Sequence, residues 1–114
     1  ATKRYDAHLR RLRRTLAERK QQAWQSLLRH MPAGVKIHHN DSGYFLWLEL
    51  PAQLDAGLLS EKALTHHISI APGKMFSTSD AWTPFFRFNT SWAWGEREEQ
   101  AVIQLGKLIS TMLK

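Results

Sequence analysis

The chain has no cysteine. That absence excludes a disulfide scaffold and any thiolate metal site, and it fits a reducing compartment. Long apolar runs are missing too. Nothing approaches the ~20 residues that a membrane-spanning helix needs, and no charged segment leads into an apolar stretch as in a signal peptide. The expectation is a soluble, cytoplasmic protein with no membrane partner. Internal repeats and low-complexity segments are also lacking. What remains is an ordinary globular composition, 43% hydrophobic, 23% charged and 11% aromatic over 114 residues. This is enough for one domain with a modest core.

Acidic residues are scarce at one end. Residues 1 to 20 hold eight basic side chains (Lys3, Arg4, Arg10, Arg11, Arg13, Arg14, Arg19 and Lys20) against Asp6 and Glu18, so this segment accounts for the whole net charge of +6. Such an arm could attract a phosphate backbone through counterion release. Charge runs are usually solvated or domain-facing helix surfaces, which is the reading preferred here, and the arm lacks the interleaved aromatics of a base-stacking platform.

Tyr5, Leu9, Leu12 and Leu16, then Ala23, Leu27 and Met31, recur at spacings of three and four. That pattern predicts an amphipathic helix, broken near Arg19 and Lys20 and ended by Pro32 and Gly34. A helix of about 27 residues is ~40 Å long. A domain this small cannot cover it, so the basic first half is expected to lie against something outside this chain. The chain opens at Ala1 almost directly into that helix and is expected to be a piece of a longer protein.

Val35, Ile37 and His39 alternate with polar neighbours and lead into Asn40-Asp41-Ser42-Gly43, which predicts a hairpin. Its second arm, residues 44 to 50, puts Tyr44, Leu46, Leu48 and Leu50 on one face and Phe45, Trp47 and Glu49 on the other. Apolar groups on both faces predict a central, covered strand. Asp55 is the expected N-cap of a helix that presents Leu58, Leu59 and Ala63 and ends near His66. Ile68 and Ile70 mark a short strand closed by Pro72-Gly73, and residues 77 to 83 read as an exposed loop. A strand over 85–91 places Arg87 with Phe85 and Asn89, opposite Phe86, Phe88 and Thr90. The final helix carries Ala101, Val102, Leu105, Leu108, Ile109 and Met112 on one stripe, with Glu96, Glu98 and Glu99 in its first turn. The fold class is α+β: a small, mainly antiparallel sheet of about four strands packed by helices, in the order α-β-β-α-β-β-α.

Three segments of this order carry a resemblance: Gly43-Tyr44-Phe45-Leu46-Trp47-Leu48-Glu49-Leu50, Ile68-Ser69-Ile70-Ala71-Pro72-Gly73-Lys74-Met75-Phe76 and Phe86-Arg87-Phe88-Asn89-Thr90-Ser91. From about Tyr5 to Leu113 the chain resembles the C-terminal small domain of fold-type-I pyridoxal-phosphate aminotransferases. The opening Leu9-Arg10-Arg11-Leu12-Arg13-Arg14 resembles the MocR-type regulators of the GntR family, in which a winged helix-turn-helix precedes an aminotransferase-like domain. Aminoadipate-type aminotransferases share much of the pattern. The family usually has two glycines before the aromatic strand, where this chain has Ser42-Gly43.

The resemblance implies a large cofactor-binding domain and a DNA-binding domain elsewhere in the parent, which would be a homodimer holding pyridoxal 5′-phosphate. It implies that Arg87 grips the carboxylate of an amino acid or amine-bearing effector, supported by Asn89, with Phe45 as a cleft wall. On spacing alone Arg87 could instead pair with an internal carboxylate. None of Lys3, Lys20, Lys36, Lys62, Lys74, Lys107 and Lys114 stands in the family's Schiff-base context, so the isolated domain is expected neither to bind the cofactor stably nor to transaminate. The arginine-rich opening makes an effector-sensing regulator the expected parent, with the small domain of a working aminotransferase of 2-aminoadipate type as the alternative. His38-His39 and His66-His67 point away from each other on a strand and have no cysteine to assist a metal. Ser77, Ser79 and Asp80 lack a nucleophile-elbow motif. Trp24, Trp47, Trp82, Trp92 and Trp94 read as core and domain-interface aromatics.

Overall fold

The computed structural model describes residues 2–39 and 43–114. Helix α1 (Thr2–His30) is followed by β1 (Lys36–His38), β2 (Phe45–Glu49), α2 (Ala56–Leu64), β3 (Ala71–Pro72), β4 (Phe85–Asn89) and α3 (Glu96–Leu113). The four strands form one antiparallel sheet in the order β1-β2-β4-β3. The α+β class and the element order read from the sequence are thus the observed ones. The hairpin pairing is present through Lys36 opposite Glu49 and His38 opposite Trp47, while Asn40, Asp41 and Ser42 of its expected turn lie outside the described residues.

Alternation in β2 and β4 decides which side of the sheet is covered. Leu46, Leu48, Phe86 and Phe88 point to one side and join Ala23 and Leu27 of α1, Leu59 and Ala63 of α2, and Val102, Leu105 and Ile109 of α3 in a single core. Each large apolar side chain removed from water there contributes on the order of 1.5–3 kcal/mol. All three helices therefore lie on one face.

Several expectations change in detail. Ile68 and Ile70 are buried, but the paired strand is Ala71–Pro72. The chain reaches β4 only where Ala71 meets Arg87 and Pro72 meets Phe86, and the missing N–H of Pro72 helps keep the ladder short. Leu58 is exposed, because α2 turns only Ala56, Leu59 and Ala63 inward. Asp55 caps α2 as expected, its carboxylate accepting from Gly57 N at 2.7 Å. The 77–83 loop contains a 3₁₀ turn, Asp80–Trp82, whose tryptophan packs on the sheet. The central position of β2 holds, yet its second face carries rings and half-open side chains instead of a helix layer.

Helix α1 extends well past the body. Its 29 residues span ~43 Å, and the long axis of the molecule is 56 Å. Residues 3 to 18 are exposed or half-exposed, whereas Lys20, Ala23, Ser26 and Leu27 are buried. The apparent break in the stripe at Arg19 and Lys20 is corrected by these contacts. Lys20 Nζ donates to the Gly43 carbonyl at 3.3 Å, and Arg19 Nη1 donates to the Ser91 carbonyl at 2.8 Å. These two cations tie α1 to the ends of β2 and β4 and do not belong to the exposed basic surface.

Candidate functional site

The face of the sheet without helices carries Phe45, Trp47 and Glu49 of β2 beside Phe85, Arg87 and Asn89 of β4. The antiparallel register sets Trp47 opposite Arg87, Phe45 opposite Asn89 and Glu49 opposite Phe85. A segment linking β3 to β4 folds over the edge of this face through two 3₁₀ turns, Gly73–Met75 and Asp80–Trp82. Gly73 makes that fold-over possible. A Cβ there would stand 2.6 Å from the Trp82 carbonyl oxygen and 3.1 Å from that of Phe85, distances that backbone atoms cannot relieve cheaply. Phe76 and Trp82 are thereby brought onto the sheet. Trp47 meets Phe76 edge-on at 5.5 Å and Trp82 at 5.2 Å, and Trp82 meets Phe85 at 5.0 Å.

Arg87 rises from this aromatic floor. Its guanidinium carbon lies 4.8 Å from the centre of the Phe45 ring and 4.5 Å from that of Phe76. Rings at these distances attract the cation through their quadrupoles, and they occupy guanidinium surface that water would otherwise wet. The N–H donors, which lie in the guanidinium plane, remain. Among the described residues no carboxylate forms an ion pair with Arg87. The acid nearest in register on the same face, Glu49, is engaged by His38 at 3.0 Å, and His38 in turn stacks on Phe85. A partly desolvated guanidinium with open donors suits a planar, two-oxygen anion.

The other residues singled out in the sequence fall as follows. Phe45 lies under Arg87. Asn89 uses its amide oxygen to accept from Ser91 N at 2.8 Å and Ser91 Oγ at 2.7 Å, fixing the turn after β4; among the described residues it makes no bond to Arg87. Phe76, the second ring against Arg87, is missed by sequence reasoning, although it closes the Pro72-Gly73 turn motif and is a large apolar residue beside an exposed loop. His39 meets Trp24 edge-on while His38 turns to Glu49, so the adjacent pair does diverge. Ser77 and Ser79 accept backbone N–H groups of their own loop, and Asp80 pairs with Lys74 at 3.2 Å. Trp24 and Trp94 pack against the core, whereas Trp92 is exposed. A cavity of about 310 Å³ lined by His67, Phe88, Trp92 and Trp94 opens away from Arg87, since Phe88 belongs to the helix-covered side.

No protein-family model matches the chain. It is 79% identical over 113 residues to the uncharacterized HTH-type transcriptional regulator YdcR of Escherichia coli strain K12, covering 99% of this chain and 24% of that protein. It is 28% identical over 109 residues to the 2-aminoadipate transaminase of Thermus thermophilus, covering 96% of this chain and 28% of that protein. The crystal structure of LysN, the α-aminoadipate aminotransferase of Thermus thermophilus complexed with N-(5′-phosphopyridoxyl)-L-leucine, superposes with a TM-score of 0.86 at 28% identity over 96% of this chain and 28% of that one. The chain spans about a quarter of the length of the curated relatives it matches. Sequence and fold together make it a small domain of the fold-type-I aminotransferase-like kind, shared in sequence with an HTH-type regulator and with aminotransferases.

Proposed function

We propose that this domain works within a longer protein as one wall of a pyridoxal-phosphate site, where Arg87 holds the carboxylate of an amino-acid effector or substrate. The observation that carries the reading is a guanidinium flanked by Phe45 and Phe76 with no acid paired to it among the described residues. The rings cover part of its surface, no carboxylate is paired with it among the described residues, and an arriving carboxylate can gain two parallel charge-assisted hydrogen bonds. Phe45 forms an apolar wall beside that anion. Asn89 shapes the strand end through Ser91 and supports the arginine only indirectly. These residues fit the amino-acid end of such a site; the cofactor and its phosphate belong to a separate large domain. When bound, pyridoxal phosphate supplies the electron sink for chemistry at the α-carbon. The share of this chain is to bind the acid group, orient it and limit water around it.

The likeness to an HTH-type regulator over nearly the whole chain favours a MocR-type, GntR-family regulator as the parent: a cytoplasmic homodimer whose N-terminal winged helix-turn-helix binds DNA and whose aminotransferase-like part senses an amino acid or amine. The likeness to 2-aminoadipate transaminase supports the second reading, the small domain of a working aminotransferase. Conversion of amino acid to keto acid by the full-length holoprotein, measured beside its affinity for DNA, separates the two.

The role of Arg87 is tested by Arg87→Ala and Arg87→Lys in the full-length holoprotein, titrated with amino acids while the cofactor absorbance is followed. Loss of a bidentate ion pair should raise the apparent dissociation constant about 100-fold for the alanine variant, with partial recovery for lysine, which offers a point charge without the fork. The spectrum before amino acid is added should not change. An amino-acid response equal to that of the unmodified protein would reject the assignment.

A further inference from the structure

We infer that the outer face of α1 is a contact surface for the phosphate backbone of duplex DNA. At 3.6 residues per turn, Tyr5, Leu9, Leu12 and Leu16 fall on one side of the helix, in line with the Ala23 and Leu27 side chains that enter the core. Lys3, Arg4, Arg10, Arg11 and Arg14 fall in an arc of ~120° whose centre lies ~180° from it. All five are exposed, and none makes an ion pair among the described residues. The only hydrogen bond among the described residues from any of them runs from Arg10 Nε to the carbonyl of Asp6 within the same helix, at 3.4 Å. Five cations thus form two adjacent rows, spanning ~16 Å along a straight axis.

Two features select the partner. The first is the geometry of the rows: cations set in line along one helix axis suit a polyanion with regularly repeated charge, and a DNA duplex offers one charge per ~1.7 Å of its axis. The second is the position of the cations relative to the apolar stripe. A helix that lies in a membrane surface also carries Lys and Arg on the face opposite its apolar one. Here the stripe runs in line with Ala23 and Leu27, which enter the core, so a surface that continues the protein body is the cover it fits. Seating it against another protein domain leaves the basic face outward and free to meet DNA. No aromatic residue stands among the cations, so the contact reads phosphate and shape without base sequence.

The proposal does not depend on the role of Arg87 or on a helix-turn-helix elsewhere, because the 114-residue chain and an unrelated duplex suffice to test it. Binding of the chain to a fluorescent duplex of about 20 base pairs is measured from about 20 to about 200 mM salt. Three proteins are compared: the unmodified chain, a stripe variant (Lys3→Gln, Arg10→Gln and Arg14→Gln) and a control variant with the same charge removed elsewhere (Lys62→Gln, Lys107→Gln and Lys114→Gln). Circular dichroism checks that each is folded. The stripe variant should bind at least about tenfold more weakly at low salt, and the slope of log K against log salt should shrink by about 2 to 3, at roughly 0.9 for each phosphate that is no longer neutralised. The control should stay within about twofold. Equal weakening in both variants would show only diffuse attraction to a basic protein and overturn the proposal. So would binding to phosphatidylserine vesicles without binding to the duplex.

Discussion

Gly106 of α3 faces the main chain at the end of α1, where an added Cβ would run into the His30 carbonyl oxygen. Two effects oppose each other at this position. In a helix interior alanine is favoured over glycine by about 1 kcal/mol, whereas forcing an atom into a backbone contact costs about 1–3 kcal/mol. The obstacle is backbone and cannot swing aside, so the clash wins. Gly106→Ala should destabilise the chain by up to about 2 kcal/mol, read as a lower urea midpoint with an unchanged m-value. A raised midpoint would mean that α1 and α3 can separate freely. Arg87 illustrates the same residue-scale logic at the site. The alternation in β4 was legible and put Arg87 on the face away from Phe86 and Phe88, but the ring of Phe76 against it was not. Phe76 arrives from a different segment, and the Gly73 turn that delivers it works only because glycine leaves room for the nearby Trp82 carbonyl.

At the scale of elements, the junction of α1 and α3 is fastened by one carboxylate. Glu99 accepts from Arg29 Nη2 at 3.0 Å and from the Trp94 indole at 3.1 Å, and it lies 2.9 Å from His30 Nε2. The Arg29 guanidinium, aided by His30 and Trp94 and opposed by partial burial, lowers the Glu99 carboxyl from 4.5 to about 2. A carboxyl whose folded value lies below its unfolded one stabilises the fold fully above the unfolded value. That stabilisation disappears as pH falls from about 4.5 through about 2. Glu99→Gln should therefore cost about 1 kcal/mol at neutral pH and nothing once pH is below the folded value of about 2. Urea melts across that window test it, and a constant difference between the two proteins at every pH would contradict the linkage. From sequence, Glu99 reads as one of three acids favoured by the helix dipole. Arg29 and His30 lie 70 and 69 positions earlier, a separation that periodicity does not encode.

At the scale of the whole molecule, the stability of α1 is unevenly shared. From Lys20 onward the helix is buried against the sheet and α3, while residues 3 to 18 have little beneath them. Isolated helical segments of that length are marginal in water. Amide hydrogen exchange on the 114-residue chain should show protection from about residue 20 to 30 and rapid exchange over 3 to 18. In a longer protein whose second domain meets the Tyr5-Leu9-Leu12-Leu16 stripe, the first half should become protected as well. Equal protection along α1 in the short chain would mean that the projecting half is held by contacts within this domain. The same asymmetry joins the two functional readings. Arg87 lies on the helix-free face of the sheet, and the apolar stripe and basic rows of α1 lie beyond the body, so both surfaces suit contacts with groups outside this chain.

Sequence by itself determined the α+β class, the order of elements, the sides of β2 and β4, the Asp55 cap and the buried stripe of α3, because these follow from local periodicity and local capping chemistry. Only the tertiary structure decided that Lys20 and Arg19 bond strand ends instead of solvent, that Ala71–Pro72 is the paired strand, that Trp82 and Phe76 cover the aromatic face, and that Arg87 has no acid partner among the described residues. Each of these depends on which distant segments meet in space, and hydrogen bonds and ring contacts over a few ångströms leave no repeating trace along the chain.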